Sequence, residues 1–252
     1  MLSKNKIKII QSLERKKIRD EQNVFLAEGN KIVFEALVSG FDIELLVATK
    51  KFIAENNSAI PQNTEVIEAD AGSIRKASLL QSPQEALAVI KKPEIQAEIK
   101  CKGQLTLALD SVQDPGNMGT ILRIANWFGI NLTVCSLSTV DVYNPKVVQA
   151  SMGAIFRVKT IYTDLCRFLE EKGQSGIPVY GTFLDGKNIY NQEFSNEGIL
   201  VMGNEGNGIS AEVGQHITEK ITIPSFAGKN SRPESLNVAV ATAICCSEFR
   251  RK

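Results

Sequence analysis

Histidine is nearly missing from this chain: His216 stands alone among 252 residues. The five cysteines, Cys101, Cys135, Cys166, Cys245 and Cys246, fall at no spacing that would gather three or four metal ligands. A metal enzyme is therefore not expected. Their odd number, with the last two adjacent inside an apparent helix, fits reduced, buried thiols in a cytoplasmic protein rather than a disulfide framework. No apolar run approaches the ~18 residues that cross a bilayer, and the first residues lack the apolar core of a secretory signal. Internal repeats and low-complexity tracts are absent. So is a large net charge: the balance is +1 with 23% charged residues, so any electrostatic footprint must lie in the distribution. The loop GNEGNG, 203–208, is neither G-x-G-x-x-G nor G-x-x-x-x-G-K-[ST], and no lysine follows it. A phosphate cradle is disfavoured.

What is present is enough apolar residue, 43%, for one large or two ordinary cored domains. The start is basic: Lys4, Lys6, Lys8, Arg15, Lys16, Lys17 and Arg19 face only Glu14 and Asp20 within 1–20. This clustering suits phosphate contacts, and the alternative is the solvated face of a helix over 4–19 capped by Ser3. FLAEG, IELLVAT, TEVIEA and ALAVIKK read as strands, with helices over 31–38 and from Asp70 between them. They make a small α/β module, and KKPEIQAEIKCKGQ, 91–104, reads as its linker to the rest. LTLALD (105–110) is a continuous apolar strand of a parallel sheet covered on both faces. NLTVCSL, IPVYGTFL, GILVMG and KITIP are further strands, separated by helices near 117–128, 145–151, 163–172, 209–215 and 234–250. This alternation predicts an open, mostly parallel α/β sheet.

Ligands of such sheets bind beyond the carboxyl ends of the strands. There the chain places SVQDPGNMGTILR, GNEGNG and SFAGKNSRPESLN, rich in the Gly and Asn that sharp turns and close backbone approach require. Asn117 is placed to cap the helix after Pro115-Gly116, and Arg123 lies among Ile121, Leu122, Ile124 and Ala125. An arginine there either snorkels or pairs with Asp110 or Asp114. Ser235 and Asn237 flank Leu236 just where an apolar helix begins, and helix capping accounts for one of the two at most.

DPGNMGTILRIANWFGI, ILVMGNEGNGIS and IPSFAGKNSRPESLNVAVATAI resemble, in order, the three motifs of the SpoU/TrmH branch of the SPOUT superfamily, RNA ribose 2′-O-methyltransferases that use S-adenosylmethionine. YNPKVVQASMGAIFRV, FLAEGNKIVFEAL and SPQEALAVIK also resemble the family, which extends the likeness over almost the whole chain. The resemblance implies a SPOUT fold with a C-terminal deep trefoil knot over 103–252, preceded at 1–95 by a small ribosomal-protein-like RNA-binding domain. It implies a homodimer with the active site near the subunit interface. Arg123 matches the arginine proposed to take or orient the hydroxyl proton. Asn117, Glu205, Ser235 and Asn237 match polar residues of the three motifs; Glu205 would pair with Arg123 or bind backbone amides. Thr182, Met202, Gly203, Ile223, Pro224 and Leu236 would meet the cofactor, largely through backbone groups. RNA would meet Lys4, Lys6, Arg15, Lys16 and Arg19, ribosomal RNA being favoured over transfer RNA. The loop 225–234 is longer than the family leads one to expect, and its Lys229 and Arg232 are further candidates for RNA contact. The alternatives are a non-catalytic RNA-binding or ribosome-assembly protein on the same fold, and a nucleotide-binding regulator that never touches RNA.

Overall fold

The first helix starts as predicted: the Ser3 side chain accepts the Lys6 amide, and α1 runs over Lys4–Ser12. It does not reach residue 19. The chain is extended at Arg15, and a second helix, α2 (Lys16–Gln22), follows. The reason is Arg19, whose guanidinium donates to the Leu13 and Glu14 carbonyls at 2.7 Å each. A continuous helix would need those two oxygens for the amides four residues on.

A computed structural model describes residues 2–94, 99–227 and 235–251. The chain divides into two compact units, Met1–Gln96 with Asp141–Arg157, and Ala97–Val140 with Val158–Lys252. In the first, β1 (Val24–Glu28), α3 (Asn30–Leu37), β2 (Ile43–Ala48), α4 (Lys50–Asn56), β3 (Glu65–Glu68), α5 (Ala71–Ala77) and β4 (Ala86–Lys91) follow in order. The sheet order is β1-β4-β2-β3, with β4 antiparallel to both neighbours and β2 parallel to β3. Ile10, Leu13, Leu26, Val47, Ile74 and Leu87 share one buried cluster on it.

The second unit opens with β5 (Leu105–Leu109), α6 (Pro115–Trp127) and β6 (Leu132–Ser136). Residues 141–157, with α7 (Pro145–Ser151), then belong to the first unit. Three interactions explain why. The Tyr143 ring lies 4.7 Å from that of Phe25, and Phe156 meets Phe41 edge-on at 5.2 Å. Arg19, 1% exposed, forms an ion pair with Asp141 at 2.6 Å. Breaking a buried pair leaves an uncompensated charge, so Arg19→Ala is expected to cost about 3 kcal/mol, seen as a lower Tm with early hydrogen exchange in 141–157.

The chain returns as β7 (Lys159–Thr163), α8 (Leu165–Gln174), β8 (Val179–Asn188), β9 (Gly198–Met202), α9 (Ala211–Gly214), β10 (Glu219–Thr222) and α10 (Val238–Arg250). The six strands lie in the order β10-β8-β9-β5-β6-β7, every pair parallel. β7 is an addition to the sequence reading. Among the described residues it pairs only with β6, at the sheet edge, and buries Ile161 alone, so it carries no apolar run to announce it. β8 meets β10 in two pieces, Tyr180–Gly181 and then Lys187–Asn188, and the chain between them carries Leu184 into solvent. Gly186 closes that excursion where a Cβ would stand 2.4 Å from the Ile221 carbonyl carbon. No helix among the described residues is long and apolar enough to cross a membrane.

Candidate active site

β5 and β9 are neighbours, and the Asp110 amide prolongs their ladder by donating to the Met202 carbonyl at 2.9 Å. Immediately beyond, Ser111 takes a left-handed φ of +58°, a conformation that costs a non-glycine residue energy and collects at functional sites. The next helix is capped by Asp114, whose side chain accepts the Asn117 amide at 2.7 Å, with Pro115 in the first turn. Asn117 is thus not the cap that its position suggests, and its side chain is free for other partners.

Those partners come from the other two glycine-rich segments. The Asn117 Nδ2 donates to Glu205 Oε1 at 3.0 Å, and Asn237 Nδ2 donates to Asn117 Oδ1 at 2.9 Å. Asn237 Oδ1 in turn caps α10, accepting the Ala239 and Val240 amides at 3.0 and 3.3 Å. The direction of this relay is fixed at both ends. A carboxylate can only accept and a backbone amide can only donate, so both intervening side-chain amides have a single consistent orientation. One residue from each of the three segments is therefore held in one chain of hydrogen bonds.

Glu205 anchors the relay. It accepts the backbone amides of Asp114 at 3.0 Å and Gln113 at 3.2 Å, which decides between the two partners expected of it in favour of amides. Burial works against its charge, but the bonds from Asn117, Asp114 and Gln113 outweigh it and hold the carboxyl below the usual range. Its stabilising contribution is complete above the ordinary glutamate pKa and is lost as pH falls through the lowered value. A carboxylate held in its charged form by donors is a poor proton acceptor. Its chemistry here is to orient.

Arg123 is exposed on α6 with no hydrogen bond or ion pair among the described residues, and pairs with neither Asp110 nor Asp114. Ser235 and Leu236 are exposed just before α10. Thr182 is half-buried inside β8, just past its first pairing with β10; Ile223 and Pro224 are half-buried beyond the carboxyl end of β10, and Gly203 is buried beyond that of β9. The Met202 side chain is buried and its carbonyl is engaged by Asp110. A Cβ on Gly203 would fall 2.1 Å from the Gly208 carbonyl carbon, so only glycine allows the chain to pass itself there. The half-buried Ile223 and Pro224, the Thr182 hydroxyl and the backbone groups beside them, with no charged side chain among them, suit the adenine end of a nucleoside better than a phosphate.

In the first unit, Lys4, Lys8 and Arg15 are exposed, while Lys6 pairs with Glu65, Lys16 with Asp20 at 2.9 Å and Lys17 with Glu21 at 3.8 Å. Such surface pairs are weak and exchange readily for another anion. Arg19 departs from expectation: it is buried and spent on Asp141, and offers nothing to a phosphate. Lys229 and Arg232 lie outside the described residues. Among the described residues no three His, Cys, Asp or Glu side chains cluster as metal ligands would. Sequence reading did not single out Asn204. Its signal was only an asparagine next to the glycine that follows β9.

The model for the SpoU rRNA Methylase family matches residues 104–247, and that for the MRM3-like substrate binding domain matches 4–88. The Bacillus subtilis 23S rRNA (guanosine(2553)-2′-O)-methyltransferase RlmP is 32% identical over 252 residues, covering 97% of this chain and 96% of its own. A structure assigned to the TrmH family of RNA methyltransferases from Porphyromonas gingivalis superposes with a TM-score of 0.90 at 43% identity, over 99% of this chain and 98% of that one. The AdoMet-bound rRNA methyltransferase of Sinorhizobium meliloti gives a TM-score of 0.86 at 29% identity, over 99% and 96%.

Proposed function

Since the chain belongs to the SpoU rRNA Methylase family, we propose that it is an S-adenosylmethionine-dependent methyltransferase acting on a ribose 2′-hydroxyl of 23S ribosomal RNA, in the cytoplasm where that RNA is assembled. The observation that carries this reading is the Glu205–Asn117–Asn237 relay, which joins three loops at the carboxyl ends of a parallel sheet into one site. When bound, S-adenosylmethionine supplies an electrophilic methyl group on a sulfonium. Thr182, Gly203, Ile223, Pro224 and Leu236 would hold its nucleoside by apolar contact and main-chain groups, with Met202 walling the strand end. Asn117, fixed from both sides, and Ser235 beside Asn237 would align the ribose. Arg123 would meet the hydroxyl. A guanidinium is a poor base, so Arg123 would stabilise the negative charge that grows on the oxygen as its proton passes to solvent.

The 1–95 segment would hold RNA through Lys4, Lys8 and Arg15, with Lys6 and Lys16 released from their surface pairs, contacts that give affinity without sequence. The 103–252 segment would carry the chemistry on a knotted SPOUT fold. The all-parallel sheet and the superposition on a TrmH-family structure support that fold.

A homodimer completes the reading. α6 and α10 pack on each other. Thr120, Ile124 and Trp127 make one stripe on α6, and Val240, Ala243, Ile244 and Ser247 make one on α10; Trp127 is 82% and Val240 50% exposed. Apolar residues so exposed at helical spacing fit a second copy. Trp127→Asp is expected to weaken the dimer by about thirtyfold or more in sedimentation equilibrium, since buried tryptophans dominate interfaces.

The test of function is transfer of labelled methyl from S-adenosylmethionine to 23S RNA from a strain lacking the gene, with the product mapped by resistance of 2′-O-methyl sites to alkaline cleavage. One new methylated ribose in 23S RNA supports the reading. Label in transfer RNA alone, or in no RNA, overturns it.

A further inference from the structure

Asn204 uses every polar atom of its side chain, in opposite directions. Its Oδ1 accepts the amides of Gly206 at 3.0 Å and Asn207 at 3.1 Å, closing the loop that the Asn204–Gly208 backbone bridge pins at its ends. Its Nδ2 leaves the loop, donating to the Ser111 carbonyl at 2.7 Å and approaching Glu205 Oε2 at 3.4 Å. The two amides fix the oxygen end and the carbonyl fixes the nitrogen end, so the orientation is forced by chemistry.

The residue it holds is the strained one. Ser111 donates its amide to Ser136 Oγ at 2.9 Å, and its hydroxyl sits 2.6 Å from that of Ser138. Asn204 supplies the third restraint, on the carbonyl. A left-handed non-glycine residue persists only when its surroundings over-determine it. Ser111 lies two residues before Gln113 and three before Asp114, whose amides receive Glu205. Asn204 therefore fixes both halves of the Glu205 site, the carboxylate as its sequence neighbour and the amides through Ser111.

We infer that Asn204 is a positioning residue for methyl transfer: its side-chain amide locks the 203–208 loop to the Ser111 turn and so keeps the Glu205–Asn117–Asn237 relay in register. This rests on the function proposed above. The donor is the essential half, because the acceptor serves only the loop's own turn.

Asn204→Asp separates the two halves, keeping shape and acceptor but turning a carboxylate toward the Ser111 carbonyl and Glu205. Asn204→Ala removes both. Near pH 8 both variants are expected to lose on the order of a hundredfold in kcat for 23S RNA, the scale of a small misplacement of reacting groups, with S-adenosylmethionine affinity by calorimetry unchanged within threefold. As pH falls toward 5.5, the Asn204→Asp carboxyl takes up a proton and donates again, so the ratio of its kcat to wild type rises about tenfold, while the Asn204→Ala ratio stays flat. Hydrogen-exchange protection at Gln113 and Asp114 follows the same pattern, lost in Asn204→Asp at high pH and regained at low pH. A pH–rate profile for Asn204→Asp parallel to wild type, with unchanged protection at these amides, overturns the inference. A wild-type protein that transfers no methyl group overturns the proposed function, and amide protection then still decides the role of Asn204.

Discussion

Arg123→Ala is expected to lower the single-turnover rate of methyl transfer by about 10² to 10³, the equivalent of about 3–4 kcal/mol of lost transition-state stabilisation. The same change is expected to leave Tm and S-adenosylmethionine affinity where they were. Both halves follow from one observation: the guanidinium is exposed and makes no hydrogen bond or ion pair among the described residues. Removing it breaks nothing in the fold, and an exposed substitution of this kind stays within about 0.5 kcal/mol. Its use must come from what is brought to it. A developing alkoxide is the partner that a permanent, planar cation serves best, and a nearby RNA phosphate would tune it. Arg123→Lys keeps the charge and loses the fork, so it is expected to recover only part of the rate. Wild-type single-turnover kinetics for Arg123→Lys would show that charge at that position is all the reaction asks, and would remove the orienting role.

The sequence made the sheet legible because a parallel strand buried on both faces is written as an apolar run; LTLAL, LTVCS and GILVM are each buried throughout. β7 was hidden because an edge strand is half solvated and needs no such run. The helix over 4–19 misled for a different reason. Its basic residues look equivalent in sequence, yet one of them, Arg19, is drawn inward by an aspartate 122 positions away, a non-local event that no local pattern records. The site shows the same division. Residue types in the three loops pointed to Asn117, Glu205 and Asn237, but their order in the relay did not appear. That order depends on which group caps which helix: Asp114 takes the role expected of Asn117, and Asn237 takes the role that Ser235 shared as a candidate. A capping preference names a residue type and leaves the choice between neighbours to tertiary contacts.

Asn117→Asp is expected to be the most damaging isosteric change in the molecule, because it reverses one donor in a relay whose polarity is fixed. In place of an amide donating to Glu205 Oε1 at 3.0 Å, a second carboxyl faces the first. Two carboxylates at that distance do not both ionise freely, so the pair holds a proton to higher pH than either group would in the unfolded chain. A carboxyl whose folded pKa is raised imposes no penalty below its unfolded pKa, and the penalty grows as pH rises through the folded value. The Tm of the variant should therefore match wild type near pH 4 and fall behind it by pH 8. The gap should correspond to about 1–2 kcal/mol, the cost of a lost hydrogen bond discounted for partial exposure. Methyl transfer at pH 8 should fall on the order of a hundredfold or more. Asn237→Asp supplies the control. It too deletes a donor, the one received by Asn117 Oδ1, but its carboxylate sits where the Ala239 and Val240 amides already point, at the positive end of α10, an arrangement worth a few tenths of a kcal/mol or more. This variant should be at least as stable as wild type and still lose activity. If Asn237→Asp instead keeps full activity, the bond between the two asparagines has no part in the chemistry, and the relay serves only to fasten the third loop to the first.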